Sequence, residues 1–238
     1  MKYHSEKILL TTSLVCHTLC ACAAAVHHEQ ATTQMFSADR LELHAGRGDP
    51  LLYWEIEAWR GEDLDRLWLR TRGEQSDDAM RTGELQLAYR RAVSAFWDVS
   101  TGWRGELRPD PSRHWLALGL HGLAPWFVNI DANLYLGESG RSALRVEANQ
   151  EILFTQRLIL EPTLEINAYG RDDPARAIGA GLSTLSASLR LRYAINRKFA
   201  PYAGALWEKH YGETAQMIRV NGGKTSAGIV LAGLRFWF

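Results

Sequence analysis

The feature that most constrains this chain is a period-two alternation of apolar and polar residues. It recurs from about Arg40 to Phe238 in stretches of about 9–11 residues, the length a tilted strand needs to cross membrane hydrocarbon. Val128, Ile130, Ala132, Leu134 and Leu136 alternate with Phe127, Asn129, Asp131, Asn133 and Tyr135. Leu158, Leu160, Pro162, Leu164, Ile166 and Ala168 alternate with Glu161, Thr163, Glu165 and Asn167, leaving both carboxylates on the wet side. The same sorting sets Arg190 and Arg192 opposite Leu189 and Leu191, and Arg66, Arg70 and Arg72 opposite Leu67, Leu69 and Thr71. Glu55 and Glu57 fall on the inner side of a neighbouring stretch, where ion pairs with those arginines would narrow or plug the interior.

Beyond the N-terminus no run of 18 or more apolar residues occurs, so the membrane is crossed by strands and not by a helix. A mean hydropathy of -0.23 is compatible with this, because each spanning strand is apolar on one side only. Turns alternate between a short and a long class, as periplasmic turns and outer loops do. The short class holds Val93-Ser94-Ala95, Gly122-Leu123-Ala124-Pro125, Phe154-Thr155-Gln156 and Ile195-Asn196-Arg197-Lys198. The long class holds residues 74–83, 107–112, 137–141, 170–184 and 212–224. Phe96, Trp97, Trp126, Phe127, Phe154 and Phe199 beside the short turns would form an interfacial girdle at one height.

These patterns predict an all-β fold, an antiparallel transmembrane β-barrel of about 12 strands, with 10 as the fallback even number. Strand starts are expected near Arg40, Leu52, Leu64, Glu84, Trp97, His114, Phe127, Ala143, Leu158, Leu185, Pro201 and Ser226. The terminal Phe238 fits the signal by which the barrel-assembly machinery recognises outer-membrane proteins. Lys2 and Lys7, the apolar stretch from Ile8 to Val15 and the small residues Ala21, Ala23, Ala24 and Ala25 predict a cleaved signal peptide over residues 1–25. Residues 26–38 read as a short flexible periplasmic arm and 39–238 as the barrel. All three cysteines, Cys16, Cys20 and Cys22, fall in the signal, so the mature barrel is held without disulfides. A lipobox ending at Cys22 is the alternative reading of that segment. The expected location is the outer membrane of a Gram-negative cell, with its lipid as the surrounding partner. Lys and Arg total 27 against 27 Asp and Glu, scattered along the chain, which excludes a nucleic-acid footprint.

Several stretches go beyond what alternation dictates. They are Arg66-Leu67-Trp68-Leu69-Arg70-Thr71-Arg72-Gly73-Glu74, Arg108-Pro109-Asp110-Pro111-Ser112-Arg113, Arg157-Leu158-Ile159-Leu160-Glu161-Pro162, Glu165-Ile166-Asn167-Ala168-Tyr169-Gly170, Asp172-Asp173-Pro174 and the closing Arg235-Phe236-Trp237-Phe238. In these the chain resembles the copper-resistance protein B family over essentially its whole mature length. The resemblance implies an outer-membrane protein of copper handling, with copper ions bound or passed and a periplasmic multicopper oxidase as a possible partner. Many members carry a Met- and His-rich arm before the barrel, suited to copper. Here that stretch offers only His27, His28 and Met35, which moves any copper site into the lumen.

The candidate metal ligands are therefore His44, His121 and His210 with Glu55, Glu57 and Glu208, all predicted on the inner face or near strand ends. The competing reading makes them hydrogen-bonding residues of the lumen. Two other functions stay open, a generic small-solute channel or filled structural barrel, and an outer-membrane lipid-modifying enzyme. No Gly-x-Ser-x-Gly elbow surrounds Ser183, Ser186 or Ser188, and no phosphate loop or zinc spacing occurs, so the expectation is a non-enzyme.

Overall fold

A computed structural model describes residues 32–46, 50–76 and 79–238. The signal segment, Cys22, His27 and His28 lie outside the described residues. The strands are β1 (Thr33–Ala45), β2 (Leu51–Gly61), β3 (Asp65–Ser76), β4 (Ala79–Ala92), β5 (Trp97–Arg108), β6 (Arg113–Ala124), β7 (Val128–Gly137), β8 (Ser142–Gln150), β9 (Ile152–Leu153), β10 (Leu158–Tyr169), β11 (Gly181–Tyr193), β12 (Phe199–His210) and β13 (Ser226–Trp237). Each long strand pairs antiparallel with its neighbour in sequence, and β13 returns to β1 through pairs such as Leu41 with Leu234 and Leu43 with Ala232. The result is a closed barrel of twelve strands, with the two-residue β9 as an extra piece on β10. Closure is what hydrocarbon demands, since an open edge would leave unpaired N–H and C=O groups there at several kcal/mol each.

The alternation read from sequence becomes the two sides of the wall. Leu43, Leu67, Leu116, Leu134, Leu189 and Val230 are exposed on the outside. Glu42, Trp68, Gln86, Asn133 and Tyr135 are almost fully buried on the inside. Short turns are found at 93–96 and 194–198 as expected, the turn expected at 122–125 falls at 125–127 because Gly122 to Ala124 still belong to β6, and a further one lies at 62–64. Phe96, Trp126, Phe127 and Phe154 stand exposed beside these turns. Among the described residues no helix is long and apolar enough to cross a membrane.

Three expectations need correction. The arm assigned to residues 26–38 ends earlier, because Thr33 to Ala38 already pair with Gly61 to Ile56 of β2. A bulge between Ala38 and Leu41 breaks the alternation there, so the pattern becomes visible only from Arg40. Residues 212–224, expected as loop, contain a helix, α1 (Gly212–Val220), whose Thr214 and Ala215 are buried against the outer end of the wall. The turn after β8 is interrupted by β9, and the break at Glu151 turns that carboxylate to Arg192 and Arg235.

Candidate functional site

The chemistry of this molecule is concentrated in its lumen, where most inward charged side chains are joined to one another. On adjacent strands, Arg70 meets Glu57 at 2.6 Å and Arg72 meets Glu55 at 2.5 Å, the pairs that the alternation implied. Other contacts reach across the barrel: Arg40 of β1 and Arg72 of β3 meet Glu147 of β8 at 2.5 and 3.3 Å. Arg70 also meets Asp131 of β7 at 3.0 Å. Toward the outer end, Glu84 of β4 takes Arg104 of β5 at 2.6 Å and Arg145 of β8 at 3.0 Å, while Arg104 stacks on the Tyr135 ring. Trp68 lies between the guanidinium groups of Arg70 and Arg90, 4.3 and 4.8 Å from its ring. These transverse pairs brace the interior at mid-height. Burying an unpartnered charge would be costly, so each ion stays where its partner holds it.

The three histidines are placed separately. His44, near the outer end of β1, meets Glu42 at 2.6 Å and stacks on Tyr53. Glu42 in turn accepts from Arg190 at 2.7 Å and Tyr202 at 2.9 Å. His121 on β6 bonds Asp131 through Nδ1 at 3.0 Å and Ser100 through Nε2 at 2.8 Å, while Arg70 and Asn133 also donate to Asp131. Gly119 makes room for this series, because a Cβ there would lie 2.3 Å from the Ser100 Oγ and 2.4 Å from the His121 Nε2. His210, at the outer end of β12, meets Glu208 at 3.1 Å and Thr184 at 3.2 Å. Glu55 and Glu57 belong to the mid-height braces and not to any of these histidines. Among the described residues no group of three His, Cys, Asp or Glu is arranged to hold a metal ion. Sequence fixes the face on which a histidine lies, and strand order around the ring separates these three.

Below the braces a cavity of about 320 Å³ is lined by Asp39, Glu55, Glu57, Asp131, Glu147, Glu151 and Glu161, by Arg40, Arg70, Arg72 and Arg235, and by Asn129 and Asn149. Seven carboxylates face four guanidiniums on this wall, and with Arg192 2.6 Å from Glu151 and 3.3 Å from Glu161 the cluster still holds two more carboxylates than guanidiniums. Asn129, Glu161 and Arg235 lie toward the short-turn end of their strands, the periplasmic end in barrels of this class, with Glu151 in the break between β8 and β9 and Asp39 at the middle of β1. Asp39, Glu151, Glu161 and Arg235 form one network, with Arg235 within 3.3 Å of Asp39 and 3.2 Å of Glu151. These acids were not singled out from the sequence. Their signal was present in the inward register of Asp131 and Glu161, but the cavity depends on which strands face one another.

The outer end is covered. Residues 170–180, between β10 and β11, cross the mouth, and Asp173 takes Arg113 of β6 through two contacts of 2.9 and 3.1 Å. Burial alone would raise the Asp173 carboxyl. The Arg113 guanidinium, with Arg141 and Arg176 beyond it, outweighs that effect and holds it below the usual aspartate range. The remaining acidic groups nearby are Asp172 in the same loop, Glu106 on β5 and Glu138 between β7 and β8. A depressed carboxyl stabilises the covered mouth at pH values above its ordinary pKa, about 3.9, and that contribution fades as pH falls through the lowered value. Pepsin should therefore leave this segment intact at about pH 5 and nick it only below about pH 4. Nicking at the higher pH would contradict the ion pair.

A closed antiparallel barrel with an aromatic girdle and a charged, braced lumen is the architecture of an outer-membrane β-barrel protein. Among solved structures, the chain is similar to the NanC porin, with a TM-score of 0.57 at 12% identity, covering 86% of this chain and 99% of that one. It is similar also to the KdgM porin, at 0.50 and 10% over 87% and 99%. At these identities the likeness concerns the fold alone. The family model of the copper resistance protein B precursor matches residues 32–238, and the chain belongs to that family. It is 40% identical over 211 residues to the copper resistance protein B homolog of Pseudomonas syringae pv. tomato, covering 89% of this chain and 72% of the relative. It is 37% identical to copper resistance protein B of Escherichia coli, covering 89% and 71%.

Proposed function

We propose that this barrel contributes to copper resistance by drawing copper ions from the periplasmic end into its acidic lumen cavity, to be held there or passed on across the outer membrane. The observation that carries this reading is the excess of carboxylates on the cavity wall, in a member of a copper resistance family. A cavity with low-dielectric walls and one prevailing sign of charge concentrates counter-ions inside it. Its lining is all oxygen and guanidinium, without thioether or thiol, which favours the harder Cu(II) over Cu(I). His121, bonded to the wall residue Asp131, is the nearest of the candidate imidazoles for a nitrogen contact. The same cavity makes a lipid-modifying role the weaker reading, since its acidic wall repels fatty carboxylates and phosphates.

Titration of the detergent-solubilised barrel with Cu(II), followed by calorimetry, tests this. The triple variant Asp39→Asn, Glu151→Gln, Glu161→Gln removes three charges at the wet periplasmic end and spares the mid-height braces. Binding to the parent barrel should weaken about tenfold or more in the variant, equivalent to at least about 1.4 kcal/mol. Equal binding by the two proteins would refute a role for this wall.

A further inference from the structure

The lumen is closed at the outer end by a segment attached in a different way from the braces beneath it. Residues 170–180 start on β10 and end at β11, yet their side chains are fastened to β5, β6 and α1. Asp173 holds Arg113 by two hydrogen bonds, with Arg141 3.8 Å away. Arg176 runs downward into the lumen, where it donates to Glu106 of β5 and, at 2.9 Å, to the Pro109 carbonyl of the facing loop. Its side chain is only 3% exposed although it comes from a surface loop. At the far end of the segment, the Gly179 N–H donates to the Thr214 hydroxyl at 2.9 Å, and Thr214 donates to Ser183 at 3.0 Å, which fastens α1 over the same region.

Beneath it, Trp115, Ala117, Tyr135 and Ala143 form a packed cluster on β6, β7 and β8, with Tyr169 of β10 against it. On β11, which adjoins β10 in the ring, Ser186 and Ser188 share the inward register and pair with Glu208 and Leu206 of β12. The loop crosses above this cluster.

We propose that residues 170–180 are a latched gate over the outer mouth, in which Arg176 acts as a tethered cation seated on Glu106 and Asp173–Arg113 is the latch. This rests on the reading that ions enter the lumen, and it adds the control of that lumen from outside. The Arg176 guanidinium occupies the place that an incoming cation would take beside Glu106. Its withdrawal opens the mouth and leaves Glu106 with Arg104 alone, 2.6 Å away. The gate is held across the mouth by single side chains, with backbone hydrogen bonds at its two ends from Gly170 to Ser142 and from Gly179 to Thr214, whereas the wall is held by backbone ladders. The gate can therefore release without loss of the barrel.

The test is conductance of the purified, refolded full-length barrel in planar bilayers bathed in potassium chloride. The parent protein should show no steady current. The double variant Asp173→Ala, Arg176→Ala should give stepwise openings. Heat-modified gel mobility verifies that the variant is folded, and Arg113→Gln, which removes the latch from the strand side, should open the mouth partially. A folded double variant as silent as the parent would overturn the gate, as would a parent that already conducts at the variant's level. Potassium current involves no copper, so failure of the gate leaves the copper-binding result standing, and failure of copper binding leaves the gate testable.

Discussion

Glu147→Ala should destabilise the barrel by about 3 kcal/mol, the lower end of the 3–5 kcal/mol range for removing one partner of a buried ion pair. Glu147 stands on β8 and receives Arg40 of β1 and Arg72 of β3, so its loss strips a shared acceptor from two guanidiniums that have travelled across the lumen. All three side chains are about one-tenth exposed, and water is poorly placed to replace the lost carboxylate. Glu55 remains within 3.3 Å of Arg40 and 2.5 Å of Arg72, which keeps the loss at the lower end. Urea unfolding in detergent micelles, followed by tryptophan fluorescence, reads this as a lowered midpoint at unchanged slope. A change below about 1 kcal/mol would place Glu147 among solvent-screened surface pairs.

Much of this architecture was legible in the sequence, because a strand with hydrocarbon on one side and a packed polar lumen on the other must alternate. Trp97, Leu158 and Ser226 begin strands where the pattern begins, and Glu55 and Glu57 meet the arginines of β3 as the inward register implied. Where the pattern failed, a local physical cause exists. The bulge beside Ala38 hides nearly the first half of β1, and α1 is a short helix whose burial is decided by the Gly179–Thr214–Ser183 contact.

The site was legible only in part, for a different reason. Alternation says that His44, His121 and His210 point inward, and they do, yet inward is a direction shared by twelve strands around a ring. Whether two inward groups meet depends on strand order, tilt and height. Those quantities bring Arg40 to Glu147 over more than one hundred residues of sequence and keep the three histidines with separate carboxylates. Of the acids on the cavity wall, Glu55 and Glu57 were named from the sequence, while Asp39, Glu147 and Glu151 were hidden in the same way, each unremarkable on its own stretch of chain.

If the acidic cavity is what this family member contributes to copper resistance, its charge should matter to the cell more than the barrel's mere presence. Removing the gene should lower the copper concentration that the cell tolerates, and the parent chain should restore it. The Asp39→Asn, Glu151→Gln, Glu161→Gln variant changes three side chains that are 15–39% exposed at the wet end of the lumen. It should fold and reach the outer membrane, because each Gln keeps an acceptor oxygen for the buried Arg192, the partner of Glu151 and Glu161, and the half-buried Asp39–Arg235 pair contributes about 1 kcal/mol or less. The decisive measurement is growth of the deletion strain across a copper series when supplied with the parent or with this variant, with both proteins quantified in outer-membrane fractions. The account predicts that the parent restores tolerance and the equally abundant variant leaves the strain near the deletion level. Full restoration by the variant, or a deletion strain that tolerates copper as well as the parent strain, would contradict it.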